Sequence, residues 1–126
     1  MLTKILLVGL GGFAGATLRY ISGLFVGRFT SQTPFPYETF AVNMLGCLLI
    51  GFLAGLADTH DLFSETSRVF VFTGFLGAFT TFSTFSHDTV GLFQNGYPSQ
   101  AFINMGVQIF LGLIAVWGGL QISKFL

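Results

Sequence analysis

Charge is scarce in this sequence, and its scarcity excludes a water-facing protein. Of 126 residues only 8% are Asp, Glu, Lys or Arg while 52% are apolar; soluble domains carry about 25% charged residues. The ten charges sit at Lys4, Arg19, Arg28, Glu38, Asp58, Asp61, Glu65, Arg68, Asp88 and Lys124. Between them lie uncharged runs at 39–57, 69–87 and 89–123, each at or beyond the roughly 18 residues that cross a bilayer as a helix. A single cysteine, Cys47, rules out an intrachain disulfide; it reads as a small packing residue inside a span. No nucleophile, base and orienting acid converge, and no phosphate loop or metal-ligand spacing appears, so an enzyme is not expected. Nor is a nucleic-acid partner.

What is present is apolar sequence and punctuation. A fourth span, about 5–27, is interrupted only by Arg19. Lys4 ahead of an apolar stretch has the outline of a signal peptide, but the stretch continues to Val26 without an A-x-A-like site. The pattern predicts four helices, at about 5–27, 37–57, 67–94 and 99–123, in one domain covering 1–126. Pro34 and Pro36 mark the first loop, a polar stretch at 58–66 the second, and Asn95-Gly96-Tyr97-Pro98 the third. Ser64 or Thr66 is placed to cap the third hydrophobic stretch. Tyr37 and Tyr97 fall at helix ends on the same side, as interfacial aromatics do.

Orientation is weakly specified. Four spans put Lys4, Arg68 and Lys124 on one side and Arg28 on the other, with Arg19 joining it if its side chain snorkels outward. A bias of three against one or two permits insertion in either direction, so an antiparallel dimer is a natural expectation. Gly11 and Gly15, Gly23 and Gly27, and Gly51 and Gly55 each stand four apart, the spacing that lets helix backbones approach.

The third stretch carries the chemistry. Within Thr73–Ser86 there are two Gly, four Thr, two Ser and four Phe. A straight helix with hydroxyls bonded back to carbonyls four residues earlier accommodates this composition. So does a helix broken near residues 77–81, whose freed carbonyls and amides face protein or water; such breaks at membrane depth are where ions bind. If helix resumes after the break, Phe82 and Phe85 share a face, with Ser83, Thr84 and Ser86 on neighbouring ones. Ring edges carry positive potential, so two rings turned edge-on can favour an anion without a fixed cation; a Phe pair in a membrane helix equally fits lipid contact or core. Hydroxyls and the Asn43 amide supply hydrogen-bond donors in place of water.

Gly74-Phe75-Leu76-Gly77 followed by Thr80-Thr81-Phe82-Ser83-Thr84-Phe85-Ser86 resembles the signature of the Fluc (CrcB) fluoride channels. Gly11-Gly12, Gly15 and Leu18-Arg19-Tyr20 resemble that family's first helix, and Thr39 through Asn43 to Gly46 its second. The resemblance covers essentially the whole chain. It implies an all-α membrane protein of four helices, the third broken, assembling as an antiparallel dual-topology homodimer in the cell inner membrane. Two pores would pass fluoride passively out of the cytoplasm, conferring fluoride resistance. By resemblance, Phe82, Phe85 and Asn43 line the pore and Ser83, Thr84 and Ser86 form its polar track. Thr39 stands at a pore mouth, and Arg19 sets a positive potential. The carbonyls of Gly77 and Thr80 from both subunits would hold a structural sodium ion, consistent with the preference of hard cations for oxygen. Asn104 and Gln108 are the helix 4 candidates. Ala78 departs from relatives with a second glycine there, and the spacing of Asn104 and Gln108 departs from theirs. Whether a second copy or a paired paralogue completes the pore stays open.

Plainer readings accompany these. Arg19 also fits as an interfacial anchor. His87 and Asp88 fit a solvated helix end, and Asp58, His60, Asp61 and Glu65 a flexible acidic loop. The alternative function is a proton-coupled exporter of the small multidrug resistance type, also short and four-spanning. It needs an intramembrane carboxylate, and no predicted span interior holds Asp or Glu. A non-transporting assembly subunit is the remaining alternative.

Overall fold

A computed structural model describes residues 1–30, 32–60 and 62–125, apart from the side chain of His60. Asp61, part of the expected acidic loop, lies outside them. Among the described residues the architecture is all-helical, with four helices long and apolar enough to cross a membrane. These are α1 (Leu2–Thr30), α2 (Tyr37–His60), a composite third segment and α6 (Pro98–Ser123). The third begins as α3 (Glu65–Arg68), widens into a π-helical stretch π1 (Val69–Leu76), tightens into α4 (Gly77–Phe79), and resumes after an interruption as α5 (Phe82–Gln94). Nothing in the sequence pattern announces the π-helical turns.

The termini follow from local chemistry. Ser64 caps α3, its hydroxyl accepting the Ser67 amide. At the end of α5, Gly96 adopts φ 82°, a left-handed conformation open to glycine. The Tyr97 amide reaches the Leu92 carbonyl at 2.8 Å and the Gly96 amide that of Phe93 at 3.2 Å, the two bonds of a Schellman ending. Pro98 then starts α6, where a missing N–H costs nothing. Arg68 Nη2 donates to the Ala57 carbonyl at 3.1 Å, closing the far end of α2.

α2 packs mainly along α6, and α1 mainly along π1, with smaller contacts to α2 and α4. Glycines explain how closely. A Cβ on Gly11 would stand 2.5 Å from the Phe70 carbonyl oxygen and 2.9 Å from the Phe75 nitrogen. One on Gly15 would collide with the Phe75 carbonyl, and one on Gly51 with that of Val116. Only bare backbone fits there. Gly23 and Gly27, at the same spacing, differ: what faces them is the side chain of Glu38, not another backbone. Much of the remaining surface is apolar, including Leu6, Leu10, Phe13, Phe110, Leu113 and Trp117, as hydrocarbon or a partner helix requires.

Candidate functional site

The interruption falls at Thr80 and Thr81, both in extended conformation, with φ/ψ of −88°/157° and −152°/119°. Two residues of α2 make it possible. Gly46 leaves room where a Cβ would collide with Thr80 Cγ2 and come within 3.3 Å of the Phe79 ring. One turn earlier, Asn43 brackets Thr81: its Oδ1 accepts the Thr81 amide at 3.0 Å and its Nδ2 donates to the Thr81 carbonyl at 3.3 Å. An unpaired backbone group in hydrocarbon costs several kcal/mol, and the side-chain amide replaces the lost helical partners. The second N–H of Asn43 goes to Gln108 Oε1 at 3.1 Å, so its donors are all engaged within the chain.

Two helical bonds are diverted at this point. The Thr81 amide goes to Asn43 and the Thr84 amide to Thr81 Oγ1, at 3.2 Å. In an unbroken helix these amides would bond the carbonyls of Gly77 and Thr80. Both carbonyls are thereby released from their helical partners.

Beside the interruption a cleft of about 300 Å³ is lined by Asn43, Thr80, Thr81, Phe82, Phe85 and Gln108, with apolar residues of α2 and α6. The two rings stand 5.4 Å apart, tilted by 56°. Their surroundings differ: Phe85 is 8% exposed and Phe82 78%, so one ring is held by the chain and the other projects from it. A second cleft, of about 320 Å³, is lined by Arg19, Glu38, Thr39, Thr81 and Thr84 together with apolar residues of α1. Thr81 belongs to both.

The residues singled out in the sequence therefore divide. Asn43, Phe82, Phe85 and Gln108 line the first cleft, whereas Arg19, Thr39 and Thr84 line the second. Ser83 and Thr84 turn their hydroxyls to Thr81 Oγ1, at 3.1 Å each, and the Ser86 hydroxyl donates to the Phe82 carbonyl at 2.9 Å. Asn104 is fully buried behind the first cleft, bonded to Thr89. Gly77 is exposed and Thr80 partly so.

His87 and Asp88 part company. His87 is 89% exposed at its side chain, but it stands in the middle of α5 and not at a helix end. Asp88 is partly buried: its Oδ2 accepts the Thr39 hydroxyl at 2.6 Å, tying α5 to the start of α2. Sequence reasoning passed over Thr89, whose signal is its place four residues after Phe85. It also left Glu38 unassigned, although its position one residue before Thr39 puts it at the start of the same helix.

The family model described as CrcB-like protein, Camphor Resistance (CrcB), matches residues 6–120. Among curated relatives, the protein named fluoride-specific ion channel FluC in Flavobacterium psychrophilum is 41% identical over 120 residues, covering 95% of this chain and 96% of that protein. Proteins of the same name in Acidobacterium capsulatum and Campylobacter jejuni are 42% and 44% identical, covering 96% and 98% of this chain and 96% and 100% of theirs. With the match running nearly end to end, this chain belongs to the CrcB-like family.

Proposed function

We propose that this chain is one subunit of a fluoride-selective passive ion channel, which lets fluoride leave the cytoplasm down its gradient. The observation that carries the reading is the interrupted third helix, bracketed by Asn43 and opening beside Phe82 and Phe85. Relatives bearing the name fluoride-specific ion channel, alike over nearly their whole length, support the choice of ion. The reading is of a conduit, not a catalyst.

Fluoride is small and strongly hydrated, so a path must replace its water at each step. Ring edges at Phe82 and Phe85 offer positive potential without a charge that would trap the ion. The hydroxyls of Thr39 and Thr84 line the second cleft and serve as donors once they turn from Asp88 and Thr81, to which they are bonded, and Arg19 raises the local potential there. Thr81, common to both clefts, joins the two stretches. Ser83 and Ser86, now bonded within the segment, join the track by turning their hydroxyls outward.

The working unit is an antiparallel homodimer with two pores. The large exposure of Phe82, whose ring a second copy would cover, and the weak Lys and Arg bias favour it. A structural sodium ion at the dimer centre fits the donors present. The Gly77 and Thr80 carbonyls, released by the diverted amides, would hold it, two oxygens from each copy. It would supply charge compensation between two broken helices.

The test is fluoride efflux from liposomes containing the purified protein, with chloride as control. Wild-type protein should pass fluoride and not chloride. Phe82→Ile and Phe85→Ile should each reduce fluoride flux by up to about tenfold, the scale of one lost ring interaction, with dimers intact on size-exclusion chromatography. Unchanged flux in both variants removes the ring-edge mechanism.

A further inference from the structure

Behind the first cleft the polar side chains form one continuous sequence of hydrogen bonds, every link pointing the same way. The Thr81 amide donates to Asn43 Oδ1 at 3.0 Å, and Asn43 Nδ2 to Gln108 Oε1 at 3.1 Å. Gln108 Nε2 donates to Asn104 Oδ1 at 3.5 Å, the longest link. Asn104 Nδ2 then donates to Thr89 Oγ1 at 2.9 Å, and Thr89 Oγ1 to the Phe85 carbonyl at 2.7 Å. The path leaves the broken backbone at Thr81, crosses α2 and α6, and returns to α5 at the buried ring.

We propose that Thr89 is a positioning residue for Phe85, and that this relay sets the buried ring relative to the interruption. The inference rests on the fluoride-channel reading above. Thr89 and Asn104 are buried away from both clefts, so water does not compete for the bond between them. Bonds aligned head to tail polarise one another and gain strength. A threonine hydroxyl bonded to the carbonyl four residues back also bends its helix locally, and here that carbonyl is the one of Phe85. Thr89 touches neither cleft; it acts through the backbone that carries the ring. Asn43 and Gln108 are then shared between cleft wall and relay, which couples ring position to the geometry of the break.

The variants are Thr89→Val, which keeps the shape and removes the hydroxyl, Thr89→Ser, which restores it, and Asn104→Leu, which cuts the relay one step away. Fluoride and chloride efflux from liposomes are measured per dimer, with dimer content read by size exclusion. Thr89→Val should lower fluoride efflux about tenfold, roughly one hydrogen bond's worth, and lower the fluoride-to-chloride ratio. Thr89→Ser should return within about twofold of wild type. Joining Thr89→Val to Asn104→Leu should add little to either alone, since both cut the same path. A Thr89→Val protein with fewer dimers but a wild-type rate and ratio per dimer overturns the proposal. If that variant does not fold, Asn104→Leu alone decides it by the same two readouts. Wild-type vesicles that pass no fluoride overturn the channel reading itself, a separate outcome.

Discussion

The two halves of the third membrane segment lie in the same bilayer yet hold to their neighbours by different means. From Glu65 to Phe79 the segment rests on α1 backbone to backbone, with Gly11, Gly15 and Gly74 clearing the space between. From Phe82 to Gln94 it is tied to α2 and α6 by amides and hydroxyls: Asp88 to Thr39, and Thr89 to Asn104. In the first half polar contacts with the neighbours stay at its outer end, where Arg68 reaches the Ala57 carbonyl and Glu65 pairs with Lys4. In the second, the backbone has just been broken, and side chains stand in for the missing partners. Irregular backbone at membrane depth is tolerated where protein satisfies it. Here the polar residues of α2 and α6 gather where the break needs them.

The comparison makes the first half intolerant of volume and the second intolerant of lost hydrogen bonds. Gly15→Val tests the former and should have the largest effect. Even its Cβ collides with the Phe75 carbonyl, and a backbone atom cannot rotate aside. The cost should be about 4 kcal/mol or more, seen as loss of folded protein in a denaturing-detergent titration. A stable Gly15→Val protein would show that α1 and π1 are not packed this tightly.

Asn43→Leu tests the second half. The substitution keeps bulk and strands both the amide and the carbonyl of Thr81. One or two unsatisfied groups cost about 2 to 3 kcal/mol, less than the glycine clash because the segment can shift to find other donors. The same titration measures it. A value near zero would mean that the break holds without its bracket, and the contrast between the halves would fail.

Much of this was legible from residues alone. Charge placement located the spans, Asn95-Gly96-Tyr97-Pro98 the last turn, and the Thr and Ser run drew attention to 77–81, within which the interruption falls. Two things were not legible, for physical reasons. The π-helical stretch at Val69–Leu76 is one, since no local propensity marks it. Equal glycine spacing also means different things in different surroundings: Gly11 and Gly15 meet backbone, while Gly23 and Gly27 meet the side chain of Glu38. Within the site, Asn43, Gln108 and Asn104 were visible as polar residues in apolar runs, but their linkage through Thr89 depends on helices far apart in sequence.

The same distinction yields the smallest predicted effect. Gly9 is two residues from Gly11 on α1, but a Cβ there would meet nothing within 4 Å. The helix turns about 200° between them, carrying Gly9 away from π1. Gly9→Ala should therefore change stability by no more than about 1 kcal/mol, the intrinsic helix preference for alanine over glycine, and in the stabilising direction. Gly11→Ala, measured alongside, faces the Phe70 carbonyl oxygen at 2.5 Å and should destabilise. If the two behave alike, α1 is not oriented as described; if Gly9→Ala destabilises while leaving the monomer folded, that face of α1 is covered by a second copy.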